Sequence, residues 1–466
     1  MKARRPNTFE ITDKFELGSF ASQLEAFIAT EHHFVEGGLV ISLNGAFGLG
    51  KTTFLEMWHD RIVNKRKEGQ SLPVPIILNA WESDFCGDPL LAIISAVSGI
   101  LGKSEAENAS QCVDELREAL NDVANFTIGL AGGVAKQLAG LDPVGAGKFA
   151  EEKKRGRKVG PKHEDLLAAY EGKLSALSHL KTVLTSVFGG DQPNAIVMVD
   201  ELDRCRPNYA VEYLEMIKHV FDIHGLIFVL AVDKVQLRSS AKALFGADLN
   251  FNEYYRKFAH RNVELPAPSE GGLTRLVSHY SSTILEIEDS AFNRFSMLPV
   301  DGRQSNIVEL AAGLKLTPRQ IHEVFRVMGH AMAGSQKNRG NLLWGFGAGT
   351  ILMSALLVAE PEMYRRIGTT TADILDFERI LRLFSNSKHR EWWAKVILMG
   401  YSPADQEVNE TLFQEFIRIG AIPKEMTEKD NRQRLGQFAT GWGSFGSVPG
   451  LQHVFNVIEG IKSFGG

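Results

Sequence analysis

The chain has 466 residues, with 51 Lys and Arg against 56 Asp and Glu and a formal charge of −5. Hydrophobic residues make up 44% and charged residues 23%, a globular composition that excludes a disordered chain. The near-neutral balance also excludes a generally basic nucleic-acid binder, leaving only local patches for that role. Such a length calls for about two to three domains, each with its own apolar interior. Cys86, Cys112 and Cys205 lie far apart and fit no zinc spacing. So few cysteines, odd in number, read as reduced thiols of a cytosolic protein. Met1 to Phe20 is mixed polar and charged, without the apolar core of a secretory signal.

In chain order, Phe20, Leu24, Phe27 and Ile28 fall at helical spacing. Leu39–Asn44 reads as a short buried strand, Thr52–Lys65 as a helix and Pro75–Asn79 as a second strand. Between about Leu90 and Phe188 the chain turns helical and Ala/Leu-rich; its apolar stretch Phe126–Leu141 is broken by Lys136 and Gln137. Ala195–Val199 and Leu226–Val232 are continuous apolar runs, as expected of central strands in a parallel sheet covered on both faces. Strands separated by helices indicate an α/β domain. Beyond Pro268 helical periodicity dominates and no internal repeat is evident. Leu342–Ala359 is uncharged and close to the length of a membrane span. Gly345, Gly347 and Gly349 interrupt it and no basic anchor follows, so the preferred reading is a buried core helix, with the span kept as the alternative.

The sharpest signal is Gly45-Ala46-Phe47-Gly48-Leu49-Gly50-Lys51-Thr52, a match to G-x-x-x-x-G-K-[ST]. Average residue usage would give that pattern by accident in roughly one or two chains in a hundred, and here it also follows a strand and opens a helix. Glycines let the backbone curl its N–H groups inward into a nest for phosphate oxygens. The positive end of the following helix adds to that field. Lys51 is expected to reach the β- and γ-phosphates and the Thr52 hydroxyl to ligate Mg²⁺.

The second signal is Ile196-Val-Met-Val-Asp200-Glu201-Leu202-Asp203-Arg204. Its apolar run buries a strand whose C-terminal edge presents carboxylates where ligands bind in open α/β sheets. Asp200 is expected to hold Mg²⁺ and Glu201 to polarise the attacking water. Asp203 and Arg204 fit either a surface ion pair or a sensing role. Asp233, at the end of the next strand, fits either a contact to the γ-phosphate or a helix N-cap. With no Asn-Lys-x-Asp guanine reader in the sequence, ATP is the expected nucleotide.

Taken together these residues resemble the KAP family of P-loop NTPases, a group in the STAND/AAA-like branch. Gly45–Thr53 is similar to that family's G-x-W-G-x-G-K-[ST]-[ST], with Phe47 in place of tryptophan and Thr53 as its last position. Leu78-Asn79-Ala80-Trp81 resembles its F-N-A-W strand end, and Asp200–Cys205 its D-[DE]-L-D-R-C signature, followed by Pro207. Phe228–Asp233 matches the next strand, and Tyr254–Lys257 with Leu265-Pro266 its E-Y-L-x-K…L-P segment. Thr317-Pro318-Arg319 fits the T/S/N-P-R element of the family's helical lid. Arg319 at that helix start either senses the γ-phosphate or is an ordinary surface arginine.

The resemblance implies a three-layer α/β P-loop domain with a parallel sheet over residues 15–268, carrying a helical insertion at about 90–190. An all-α lid over 269–366 and a helical region over 367–466 would follow. It implies a bacterial, soluble, cytoplasmic, Mg²⁺-dependent ATPase whose hydrolysis switches a larger complex, with a role in antiviral defence and a protein partner carrying the effector chemistry; a homo-oligomer fits as well. A nucleotide-gated scaffold of negligible turnover, or a nucleic-acid-stimulated ATPase acting on DNA or RNA, is the alternative. Some family members carry membrane helices in the insertion, but the one here has no clean span, so membrane association is not expected. The basic run Lys153–Lys158 suits either contact with a phosphate backbone or lipid headgroups, or a solvated linker. The histidines show no ligand spacing for zinc, and Trp392-Trp393 and Gly441–Gly446 read as packing and loop features.

Overall fold

A computed structural model of the protein describes residues 8–101, 114–119, 163–285, 300–334, 344–402, 409–427, 435, 441–442 and 448–462. The basic run 153–158, the stretch 126–141 and Cys112 lie outside them. The chain divides into two compact units: residues 1–13, 17–46 and 51–266 form the first, and residues 14–16, 47–50 and 267–466 the second.

The first unit is an α/β domain. Its strands are β1 (Leu39–Asn44), β2 (Val74–Asn79), β3 (Ala195–Asp200), β4 (Leu226–Val232) and β5 (Arg261–Glu264). They form one parallel sheet in the order β2-β3-β4-β1-β5. Every residue of β3 and β4 is buried, which is why both read as unbroken apolar runs rather than alternating ones. Helix α1 (Leu17–Glu31) precedes β1, and α2 (Lys51–Lys67) leads from β1 to β2. Trp58 of α2 donates its indole N–H to Glu25 of α1 at 3.1 Å, and Lys65 pairs with the same carboxylate at 2.9 Å.

Beyond β2 come α3 (Ala80–Asp84), α4 (Pro89–Leu101) and α5 (His163–Phe188), then α6 (Pro207–His219) after β3, and α7 (Lys234–Phe245) and α8 (Phe251–Tyr255) after β4. One face of the sheet packs with α4, α5, α6 and α7 in a core containing Ile93, Leu180, Val197, Tyr213 and Leu237. β5 was not foreseen in the sequence. Its Arg-Asn-Val-Glu run is polar and largely exposed, because it is an edge strand paired only with β1.

The second unit is helical throughout its described residues. Helices α9 (Glu270–Leu285), α10 (Val300–Gly313), α11 (Pro318–Gly334) and α12 (Trp344–Ala359) are followed by α13 (Pro361–Gly368), α14 (Ile374–Leu381) and α15 (Ser387–Tyr401). α16 (Glu410–Arg418) and α17 (Gly450–Lys462) complete it. A single core joins Val277 and Phe325 to Trp393, Phe413 and Val454, so segments 269–366 and 367–466 share one interior. α12 lies inside that core with Gly345 through Leu356 buried, which explains a helix apolar on every side. Among the described residues no helix is long and apolar enough to cross a membrane.

Gly345 and Gly349 of α12 have a packing reason. A Cβ on Gly349 would sit 2.5 Å from the ring of Trp442, which is 2% exposed. Gly349→Ala should therefore lower the unfolding free energy by about 1–3 kcal/mol, read as a lower denaturant midpoint.

In the first unit, His32 is fully buried and stacks on His224 with ring centroids 4.1 Å apart. Burial lowers its pKa below the usual value, and the charges of His224 and His33 act in the same direction. Below an ordinary imidazole pKa of about 6.5, the unfolded chain then binds more protons than the folded one. The stability is complete above that value and is lost as pH falls through it. His32→Phe should flatten the acid-side decline of the melting temperature; a decline as steep as that of the wild type would assign it to other groups.

Candidate functional site

The parallel register collects the polar residues of the sheet at one edge. Asn79 of β2 lies opposite Asp200 of β3, Asp200 opposite Ala231 of β4, and Val232 opposite Asn44 of β1, which in turn faces Glu264 of β5. This is the carboxyl edge of a parallel sheet. β1 lies between β4 and β5, so its connection to β2 crosses two strands; such switch points are where open α/β sheets bind ligands.

The phosphate loop leaves β1 at this edge. The Gly45 N–H donates to the Val232 carbonyl at 3.1 Å, anchoring the start of the loop to β4. Gly48 has φ 81° and Gly50 φ 103°, backbone that side-chain-bearing residues rarely adopt. Lys51 is buried and its Nζ donates to the Gly45 carbonyl at 2.6 Å, so the ammonium spans the mouth of its own loop. Thr52, in the first turn of α2, has its side chain beside the Asp200 carboxylate and pulls that group's pKa down.

Among the expected site residues, the structure thus brings Gly45, Lys51, Thr52 and Asp200 together. Ala46 follows Gly45 in the first unit, whereas Phe47, Gly48, Leu49 and Gly50 group with the second. Thr53 occupies the third position of α2.

Burial is the largest influence on Asp200 and raises its pKa; the Thr52 side chain and the Glu201 N–H oppose it, while the charges of Glu201 and Asp203 reinforce it. Asp203 is also raised by burial, against the pull of the Lys51 ammonium. Desolvated carboxylates of this kind favour a cation beside them. Next to them Cys205 is pushed up to about 12, chiefly by burial, leaving its thiol protonated and a poor nucleophile.

Glu201 has φ 59° and ψ 22°, a left-handed conformation that costs a non-glycine residue of order 1–3 kcal/mol and clusters at functional sites. Its carboxylate is held at both oxygens. Arg204 Nη2 lies 2.9 Å from Oε1, and Asn79 Nδ2 donates to Oε2 at 3.2 Å. Arg204, offered by the sequence as surface pair or sensor, forms this ion pair and also lies over the Trp81 ring, 5.7 Å from its centroid. Asn79 carried only a motif resemblance in the sequence; its contact with Glu201 follows from the adjacency of β2 and β3, which no local pattern encodes.

Asp233 caps α7, its Oδ1 accepting from Val235 N–H at 2.9 Å, and its own N–H donates to Asp203 Oδ2 at 3.2 Å. The helix-cap reading of Asp233 is thus present in the structure. In the second unit Thr317 and Gln320 exchange capping bonds at the start of α11, at 2.9 and 3.3 Å. The Arg319 guanidinium there lies 4.7 Å from the centroid of the Phe47 ring.

The model of the KAP family P-loop domain matches residues 18–332. The chain belongs to the KAP family. The match covers the phosphate loop, the acidic strand end and the Thr317–Arg319 element in one continuous span. A P-loop NTPase domain binds a nucleotide. No curated protein matches the chain. Among solved structures it is similar to the Aeropyrum pernix ORC2 protein in its ADPNP–ADP complexes, at 11% identity and TM-score 0.36, covering 99% of this chain and 97% of that one. The ADP form of the same protein gives 12% identity and TM-score 0.33, covering 99% and 96%.

Gly50 offers a clean test of the loop geometry, since a Cβ there would meet no atom within 4 Å and only the backbone would object. Gly50→Ala should lower nucleotide affinity about tenfold, from roughly 1–3 kcal/mol of strain, with an unchanged circular dichroism spectrum. Wild-type affinity in titration calorimetry would mean that the loop does not need this conformation to bind.

Proposed function

We propose that the chain is a Mg²⁺-dependent ATPase that acts as a conformational switch. The observation that carries this reading is the buried Lys51 ammonium held over the loop at the Gly45 carbonyl, with Thr52 and the desolvated Asp200 carboxylate at the same edge. Hydroxyl and carboxylate oxygens suit a hard divalent cation that takes its remaining ligands from phosphates and water. Among the described residues no group of three or more His, Cys, Asp or Glu could hold a metal ion, so a cation shared with the nucleotide fits better than a protein-only cage. Bound there, Mg²⁺ would neutralise phosphate charge and polarise the γ-phosphate.

The chain's own residues do the rest. Loop N–H groups and the amino end of α2 cradle the phosphate oxygens. Lys51 exchanges its bond to the Gly45 carbonyl for phosphate oxygens. Glu201 accepts a proton from, or orients, the water that attacks the γ-phosphate. Phosphoryl transfer asks the protein mainly for positioning and charge stabilisation, and this residue set meets both needs. We assign the output to a protein partner, and antiviral defence as its setting, on the family resemblance.

A second reading, a nucleotide-gated scaffold with little turnover, is favoured by the occupancy of both Glu201 oxygens. The two readings separate in one assay. Lys51→Ala should abolish nucleotide binding, whereas Glu201→Gln should retain Mg·ATP and lose phosphate release by about 10²–10⁴-fold. Undiminished phosphate release by Glu201→Gln removes the role given to Glu201. Stoichiometric ATP retained by the wild-type chain without phosphate release establishes the scaffold.

A further inference from the structure

The exits of β2 and β3 run side by side because Asn79 and Asp200 are register partners, and α3 is fastened along the acidic loop by successive contacts. Asn79 reaches Glu201 at 3.2 Å, and Trp81 lies beneath Arg204. The Ser83 hydroxyl shares a hydrogen bond with the Tyr209 hydroxyl at 2.9 Å. Asp84 accepts from the backbone N–H and the Nε of Arg206, at 3.0 and 2.9 Å. Together these contacts hold one segment against the residue assigned to activate water.

The two bonds on the Glu201 carboxylate differ in character. Asn79 is fixed from behind, since its Oδ1 caps α3 by accepting from Trp81 N–H at 3.0 Å and Glu82 N–H at 3.2 Å. Arg204 approaches from the solvent side. Its side chain is 35% exposed against 15% for Glu201, and its aromatic seat, Trp81, is 52% exposed. An attacking water needs a free carboxylate oxygen, and Oε1 is the one whose partner can swing away.

We propose that Arg204, seated over Trp81, restrains Glu201 in a low-turnover state, with Asn79 as the positioning residue on the opposite oxygen, so that release of the Arg204–Glu201 pair limits hydrolysis. This rests on the role of Glu201 proposed above and adds a regulator to it. Arg204 thereby acts on the rate through Glu201 and leaves nucleotide binding alone.

The test is steady-state phosphate release with Mg·ATP by the full chain, as wild type, Arg204→Ala, Trp81→Ala, Trp81→Phe and Arg204→Ala/Glu201→Gln. A partly exposed ion pair of this kind holds its partners with modest strength, so Arg204→Ala should raise kcat about two- to fivefold with KM unchanged. Trp81→Ala should raise it less, and Trp81→Phe, which keeps a ring under the guanidinium, should restore the wild-type rate. Wild-type kcat should climb with ionic strength as salt screens the pair, whereas that of Arg204→Ala should not, and this comparison needs no variant beyond Arg204→Ala. A fall in kcat for Arg204→Ala, or equal salt dependence in the two proteins, overturns the restraint. The double variant separates the two levels: if it stays inactive while Arg204→Ala gives no gain, only the restraint fails. If Glu201→Gln itself turns over normally, the role of Glu201 fails first.

Discussion

The parallel register of β1, β3 and β4 is the constraint on which the site depends. It brings the end of β1, from which the phosphate loop departs, and the end of β3, from which the acidic pair departs, to one edge of the sheet. β4 separates them and supplies the carbonyl that anchors the first loop residue. A slip of one residue in any of these strands would turn each of its side chains to the opposite face and part Thr52 from Asp200.

Around that edge, burial does electrostatic work. Asp200 and Asp203 are both driven towards the neutral form by loss of water, and Lys51 counters this at Asp203. Such an arrangement is poised to gain from a bound cation, because charge that is costly alone is welcome once paired. The strained backbone at Glu201 belongs to the same design. A left-handed residue immediately after a strand turns the chain sharply, so that Asp200 and Glu201 meet different partners from adjacent positions.

Much of this was legible in the sequence. The phosphate loop and the acidic strand end are local signals, and β1, β3 and β4 announce themselves as apolar runs bounded by polar residues. The stretch 342–359 was ambiguous because a core centre and a lipid bilayer select the same residues; Gly345 and Gly349, which face Trp442, belong to the core. β5 escaped notice because an exposed edge strand needs little apolar content. The grip on Glu201 was also out of reach, since Asn79 and Glu201 are separated by 122 positions and meet only through strand adjacency. Asp233 illustrates the opposite case: a short polar residue after a strand and before a helix is what both a cap and a ligand contact look like.

Cys205 gives the acidic loop a built-in reporter. It is 5% exposed, its pKa is pushed up to about 12, and its sulfur lies 3.7 Å from the Glu201 carbonyl oxygen. A closed loop therefore keeps this thiol silent toward alkylating reagents, and each labelling event records an excursion in which β3's exit has come apart. The labelling rate is thus a clock for local opening beside the Glu201 carboxylate, readable without any nucleotide being turned over.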